Sequence, residues 1–283
     1  MSRIAQRFEQ IRAAGRAALI PYVTAGDPHP DHTVPLLHAL VAAGADLLEI
    51  GVPFSDPMAD GPVIQQACER ALAQGTRLRD VLDMVQTFRA RDTETPVILM
   101  GYLNPIERMG ILPFVTRAAA AGVDGILVVD LPPEESQELS DTLLQQQMDL
   151  IFLLAPTTTP ERLQQVVAAA RGFLYYVSLK GVTGAQSLDT RSLAPRLADI
   201  RAHTLLPVGV GFGIRDAVTA AQVAQVADAV VVGSAFVRLS ERFPEDPAGL
   251  LAAAADLARA MRTAMDAART MTSCTQGQDH ELV

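Results

Sequence analysis

Eight short apolar or β-branched runs punctuate this chain, at residues 18–23, 46–52, 97–101, 125–129, 150–154, 173–179, 207–211 and 229–233. Between them lie longer segments with helical spacing, such as Leu36, Leu37, Leu40 and Val41 ahead of Gly44, and Leu163, Val166, Val167 and Ala170 ahead of Gly172. Strand then helix, eight times over, predicts an α/β chain folded as a single (β/α)8 TIM barrel with an extra N-terminal helix. An open doubly wound sheet uses the same units. It is disfavoured because no Gly-x-Gly-x-x-Gly opens the first strand-to-helix turn, and because the residues suited to chemistry follow runs 2, 6, 7 and 8 rather than one switch point. The barrel is expected over residues 1–271, closed by an Ala-rich amphipathic helix at 249–271. Residues 272–283 are polar and aperiodic and are expected to be a disordered tail.

The chain's 283 residues suit one such barrel, which takes about 250. With 49% hydrophobic residues there is material for a large core, yet no apolar run approaches the ~18 needed to cross a bilayer. The first residues read as an amphipathic helix with Ile4, Phe8 and Ile11 on one side and lack the apolar centre of a signal peptide, so a cytoplasmic location is expected. Cys68 and Cys274 are far apart and belong to no ligand cluster, so no metal site is expected. A net charge of −9 disfavours nucleic acid or an anionic membrane as partner. An anionic small substrate would therefore need local devices to hold it.

The second run carries the anomaly. Glu49 stands in Leu47-Leu48-Glu49-Ile50-Gly51-Val52, where every other residue is apolar or glycine. Alternation sends Leu48, Ile50 and Val52 to one face and Leu47, Glu49 and Gly51 to the other. Three large apolar groups suit the helix-covered outside, which leaves Glu49 pointing into the barrel near its C-terminal end, where barrel enzymes place their chemistry. A buried carboxylate must be paired, protonated or kept for proton transfer; a structural Glu paired with an Arg is the competing reading. Asp60 supplies a second carboxylate in the Gly/Pro-rich stretch that follows, although Asp-Gly-Pro ahead of an amphipathic run also makes a good helix cap. Spacing alone does not choose between Asp56 and Asp60 as the second acid.

Three glycine-bearing segments follow runs 6, 7 and 8: Gly181-Val-Thr183-Gly184, Gly211-Phe212-Gly213 and Gly233-Ser234. Their convergence on adjacent strands of one barrel suggests a phosphate site built from backbone N–H groups, with the Ser234 hydroxyl as a further donor. Tyr22, Tyr102, Tyr175 and Phe212 fall at or just past the ends of the runs, and Tyr22 and Phe212 could flank a flat bicyclic ring. Only one of Tyr175 and Tyr176 can face the barrel. If it is Tyr175, Lys180, the chain's only lysine, points away from the pocket or lies in the loop beyond, which weakens a Schiff-base reading.

The run from Asp46 to Pro62, together with Gly101-Tyr-Leu-Asn104-Pro105, Asp130-Leu-Pro132, Gly181-Val-Thr183-Gly184-Ala185, Gly211-Phe212-Gly213-Ile and Gly233-Ser234, resembles the alpha subunit family of tryptophan synthase across roughly residues 1 to 270. The resemblance implies a lyase that splits indole-3-glycerol phosphate into indole and glyceraldehyde 3-phosphate. It implies Glu49 and Asp60 as catalytic residues and Tyr22, Met100, Leu127, Tyr175, Thr183, Phe212 and Val231 around the substrate. Tyr22 and Met100 stand where the family carries Phe and Leu. The resemblance further implies phosphate contacts at Gly184, Gly213, Gly233 and Ser234, and a partner surface at Pro53, Asp56, Asn104 and Pro132. The implied partner is a beta subunit in an alpha2-beta2 tetramer; that subunit carries PLP, and no cofactor is expected in this chain. The loop at 179–189 is expected to close over the phosphate and bring Thr183 to Asp60. Two other readings fit parts of the pattern. One is a different phosphate-binding barrel enzyme, such as phosphoribosyl anthranilate isomerase or indole-glycerol phosphate synthase, although the synthase's catalytic lysines are not met. The other is a catalytically idle subunit that binds the phosphate ligand and activates its partner.

Overall fold

The computed structural model describes residues 2–178, 190–211 and 213–278, with the backbone alone at 190–192 and 271–278. The elements run α1 (Arg3–Ala13), β1 (Ala18–Thr24), α2 (Pro30–Ala42), β2 (Leu48–Gly51), α3 (Pro62–Ala73), α4 (Leu78–Arg89), β3 (Val97–Gly101), α5 (Leu103–Met109), α6 (Ile111–Ala121), β4 (Gly125–Val128), α7 (Gln137–Gln145) and β5 (Asp149–Leu154). They continue as α8 (Pro160–Ala169), β6 (Leu174–Val177), α9 (Thr190–Arg201), β7 (Val208–Gly211), α10 (Ala217–Ala224), β8 (Ala229–Val232), α11 (Ser234–Arg242) and α12 (Pro247–Gln278). The eight strands follow one another in chain order around a closed parallel barrel, so the expected fold is the observed one. Among the described residues no helix is long and apolar enough to cross a membrane.

Side-chain alternation sorts the core into two layers. Leu48, Ile50 and Val52 of the β2 region join Leu19, Val97, Leu99, Ile126 and Val230 between the sheet and its helices. Leu47, Ile98, Leu127, Ile151, Tyr175, Ala229 and Val231 fill the interior. The N-terminal helix closes the lower end of that interior: Ile4, Phe8 and Ile11 are buried with the inward-facing strand residues, and the Phe8 ring lies 5.6 Å from Phe173. Gly125 permits this approach, since a β-carbon there would lie 2.8 Å from a methyl of Ile4.

Charged side chains tie the same lower end. Asp46, just ahead of β2, accepts the Leu19 amide at 2.9 Å and Arg262 at 3.0 Å. Asp124, ahead of β4, accepts the Val97 amide at 2.7 Å with Arg3 and Arg89 each at 2.6 Å. Asp228, ahead of β8, accepts the Val208 amide at 2.8 Å and Arg201 at 3.1 Å. An aspartate before an even-numbered strand thus caps the preceding odd one three times over. One boundary differs from expectation. Helical backbone continues through Gln278, past Met271 where the apolar period stops. Extending a helix adds one hydrogen bond per residue without a new nucleus, and no proline between 272 and 278 interrupts it.

Candidate active site

At the opposite, C-terminal end of the barrel Glu49 points inward and is 1% exposed, with Tyr22 of β1 and Ile98 of β3 as its register neighbours. Neither of its carboxylate oxygens has a hydrogen-bond partner among the described residues. The competing expectation, an arginine-paired structural Glu, is therefore not what the described residues form. Burial, reinforced by the Asp60 carboxylate, pushes Glu49 up to about 8. At neutral pH it is an uncharged acid that holds a proton and can give it up.

Asp60 arrives from the loop between β2 and α3. The capping alternative does not hold, because α3 is capped by Gly61 with no side-chain cap bond. The Asp60 carboxylate instead accepts the Tyr102 hydroxyl at 2.9 Å. Burial raises its pKa from the ordinary value, and the Tyr102 bond pulls the other way. Asp56 is exposed and accepts the neighbouring Ser55 hydroxyl at 2.6 Å. Of the two aspartates that spacing left open, Asp60 is half-buried and bonded by Tyr102, and Asp56 is exposed.

Two further tyrosines, Tyr22 and Tyr175, are buried on the barrel strands. Tyr175 is the inward residue of β6, while Tyr176 packs outside among the helices. Burial holds the Tyr22 and Tyr175 hydroxyls well above their ordinary pKa, and for both the Glu49 and Asp60 carboxylates add to the rise. Tyr22 stands beside Glu49 in the strand register, and its hydroxyl lies 3.2 Å from that of Thr24. Two glycines make room for the two tyrosines: a β-carbon at Gly51 would collide with the Tyr22 hydroxyl, and one at Gly211 with that of Tyr175. Met100 is half-buried beside the interior cluster, and Leu127 and Val231 are fully buried in it.

Gly233 caps α11 and Ser234 begins it, so the first amides of a nine-residue helix open at the end of β8. A β-carbon at Gly233 would lie 3.8 Å from the Tyr22 ring, which sets this helix end beside the aromatic wall. Gly213, in the loop after β7, has φ +77°, a left-handed conformation that favours glycine. Thr183, Gly184 and Phe212, with Lys180 and the rest of the expected closing loop at 179–189, lie outside the described residues. The residues expected to meet a partner are treated unequally by the fold. Asp56 and Asn104 are exposed and Pro132 is half-buried, but Pro53 is buried within the chain. Met58 and Leu112 are large apolar residues left 86% and 64% exposed. Sequence reasoning gave no role to Tyr102, visible only as one more aromatic after a strand.

A wide cleft of about 840 Å³ opens elsewhere, at the lower end between α1 and the loops that enter the strands, lined among others by Arg12, Arg171 and Leu205. It contains none of the inward carboxylates or phenols, and barrel enzymes work from the other end. Among the described residues no group of three His, Cys, Asp or Glu side chains is placed to hold a metal ion.

The family model described as tryptophan synthase alpha chain matches residues 8–266. The tryptophan synthase alpha chain of Thioalkalivibrio sulfidiphilus is 64% identical over 266 residues, covering 94% of this chain and 100% of that one. The chain belongs to the tryptophan synthase alpha chain family. The alpha chain of Nitrosococcus oceani is 61% identical over 267 residues, 94% of this chain and 98% of its own. The crystal structure of tryptophan synthase subunit alpha from Legionella pneumophila superposes with a TM-score of 0.86 at 46% identity, covering 94% of this chain and 99% of that one. As an alpha chain of tryptophan synthase, the protein is a carbon–carbon lyase that cleaves indole-3-glycerol phosphate to indole and glyceraldehyde 3-phosphate and works with a beta subunit.

Proposed function

We propose that Glu49 and Asp60 divide the cleavage between them, Glu49 moving the proton and Asp60 holding the charge. The indole ring cannot leave as a carbanion at C3. A neutral Glu49 gives its proton to C3, which turns the ring into an electron sink with positive charge at N1. The bond from C3 to the side chain then breaks, its electron pair restores the aromatic ring, and the side-chain hydroxyl becomes the aldehyde of glyceraldehyde 3-phosphate. The proton this hydroxyl loses returns to the Glu49 carboxylate, so the acid is regenerated and no co-reactant is needed. Asp60, ionised, accepts the N1–H hydrogen bond and stabilises the transient cation. The carrying observation is the pair itself: a buried Glu raised to about 8 with no partner among the described residues, opposite a second acid already hydrogen-bonded by a phenol.

In this reading the indole ring lies among Tyr22, Met100, Leu127, Tyr175 and Val231, with Thr183 and Phe212 completing the pocket. The phosphate sits on the amides of Gly184, Gly213, Gly233 and Ser234. The loop that starts at Pro53 and exposes Asp56, together with Asn104 and Pro132, faces the beta subunit in an alpha2-beta2 assembly. PLP belongs to that subunit, which takes up the indole to make L-tryptophan. The barrel at 1–271 is the catalytic domain and works in the cytoplasm.

The test is indole release from indole-3-glycerol phosphate by the purified chain, with and without a tryptophan synthase beta chain. Wild-type release should rise with the beta chain. Glu49→Gln should lower it about 10³-fold or more while a phosphate ligand still binds normally. Substantial cleavage by a folded Glu49→Gln protein would remove Glu49 from the chemistry.

A further inference from the structure

Tyr102 is 4% exposed and lies between the end of β3 and the start of α5. Its hydroxyl makes two bonds to one loop. The Ala59 amide donates to the phenol oxygen at 3.0 Å, and the phenol lies 2.9 Å from Oδ2 of Asp60. The directions are fixed by chemistry: an amide N–H only donates, so the phenol's own proton is the one that reaches the carboxylate. The ring is stacked on Phe54, from the same loop, with centroids 5.1 Å apart and planes at 30°. One side chain therefore holds the start of the loop by its face and the end by its hydroxyl. Among the described residues no other side chain bonds the Asp60 carboxylate, so Oδ1 has no side-chain partner there.

We propose that Tyr102 is the positioning residue of the reaction, holding Asp60 ionised through Oδ2 and aiming Oδ1 at the ring nitrogen of the substrate. The inference rests on the reading of Asp60 given above and adds a device to it. A carboxylate on a glycine- and proline-rich loop would otherwise rotate freely and, being half-buried, would tend to take up a proton. A phenol that donates to it opposes both tendencies. Donation to Asp60 lowers the carboxyl pKa against the effect of burial, which agrees with this role.

The experiment measures kcat and KM for indole-3-glycerol phosphate against pH in the wild type and in Tyr102→Phe, a change that keeps the ring and its stack on Phe54. A lost hydrogen bond to a charged group should lower kcat about 10- to 100-fold, with KM within about twofold. The acid limb of the kcat profile should move to higher pH. In an Asp60→Asn background the same change should cost less than about twofold, because the group it serves is gone. An unmoved acid limb in an active wild-type comparison, or an equal loss in both backgrounds, would overturn the proposal and leave Tyr102 as packing. Should Tyr102→Phe not fold, 3,5-difluorotyrosine at position 102 gives a stronger donor of the same shape and should move the acid limb to lower pH; no movement would overturn it equally. A wild type that releases no indole would instead count against the reading of the site as a whole.

Discussion

The two ends of this barrel treat their carboxylates in opposite ways. At the lower end Asp46, Asp124 and Asp228 each meet a strand amide and an arginine, so their charge is satisfied and contributes to closing the sheet. At the upper end Glu49 is buried as deeply, with no partner for either oxygen among the described residues, and Asp60 has a neutral phenol in place of an arginine. Burial alone therefore says little about a carboxylate's purpose. A guanidinium beside a carboxylate favours the ionised form, which counts against a part in proton transfer. Without one, burial drives the pKa toward neutrality, where a group can both give and take a proton.

Substitutions at the two ends should separate stability from activity. Glu49→Gln should have the largest effect on rate, with a gain rather than a loss in stability. The sign follows from linkage: the unfolded chain ionises near 4.5 and the folded one near 8, so the folded state binds the extra proton between these values and wild-type stability falls as pH rises through that window. By pH 8 the accumulated penalty is as much as ~5 kcal/mol. Chemical denaturation at pH 5 and pH 8 should thus show a wild type that weakens and a Gln variant that does not; parallel behaviour would mean Glu49 is already ionised in the fold.

Asp124→Ala should do the reverse. It leaves Arg89 and the Val97 amide without their partner and should lower the unfolding free energy by about 3–5 kcal/mol, with kcat per folded molecule unchanged. A comparable loss of kcat would mean that the lower end is coupled to the chemistry. Asp60→Asn should lower kcat about 10²-fold yet shift stability by less than about 1 kcal/mol, because the helix it precedes is capped by Gly61 instead. A larger shift in Tm would show that the loop depends on this carboxylate for its fold.

Much of this was legible in the sequence for a local reason. Strand residues alternate with a period of two, so the inward course of Glu49 and Leu47 followed from the apolar character of Leu48, Ile50 and Val52. The N-terminal helix likewise announced the three residues it buries, Ile4, Phe8 and Ile11. The helix end was misplaced because a loss of apolar period marks where packing stops, whereas hydrogen bonding carried the backbone on to Gln278. Pro53 was expected at a partner surface and is buried, since the loop turns outward only after it.

By itself, then, the sequence determined the alternation of elements, which strand faces inward at each position, and the presence of an acid where an apolar residue belongs. These depend on periods of two and 3.6 residues, which any short window contains. The tertiary structure alone decided which carboxylates are paired and which are not. Asp46 finds Arg262, 216 residues away, Asp60 finds Tyr102, 42 residues away, and Glu49 finds no partner among the described residues. No local period encodes such distances. Closing the barrel sets which partners each acid meets and how deeply it is buried.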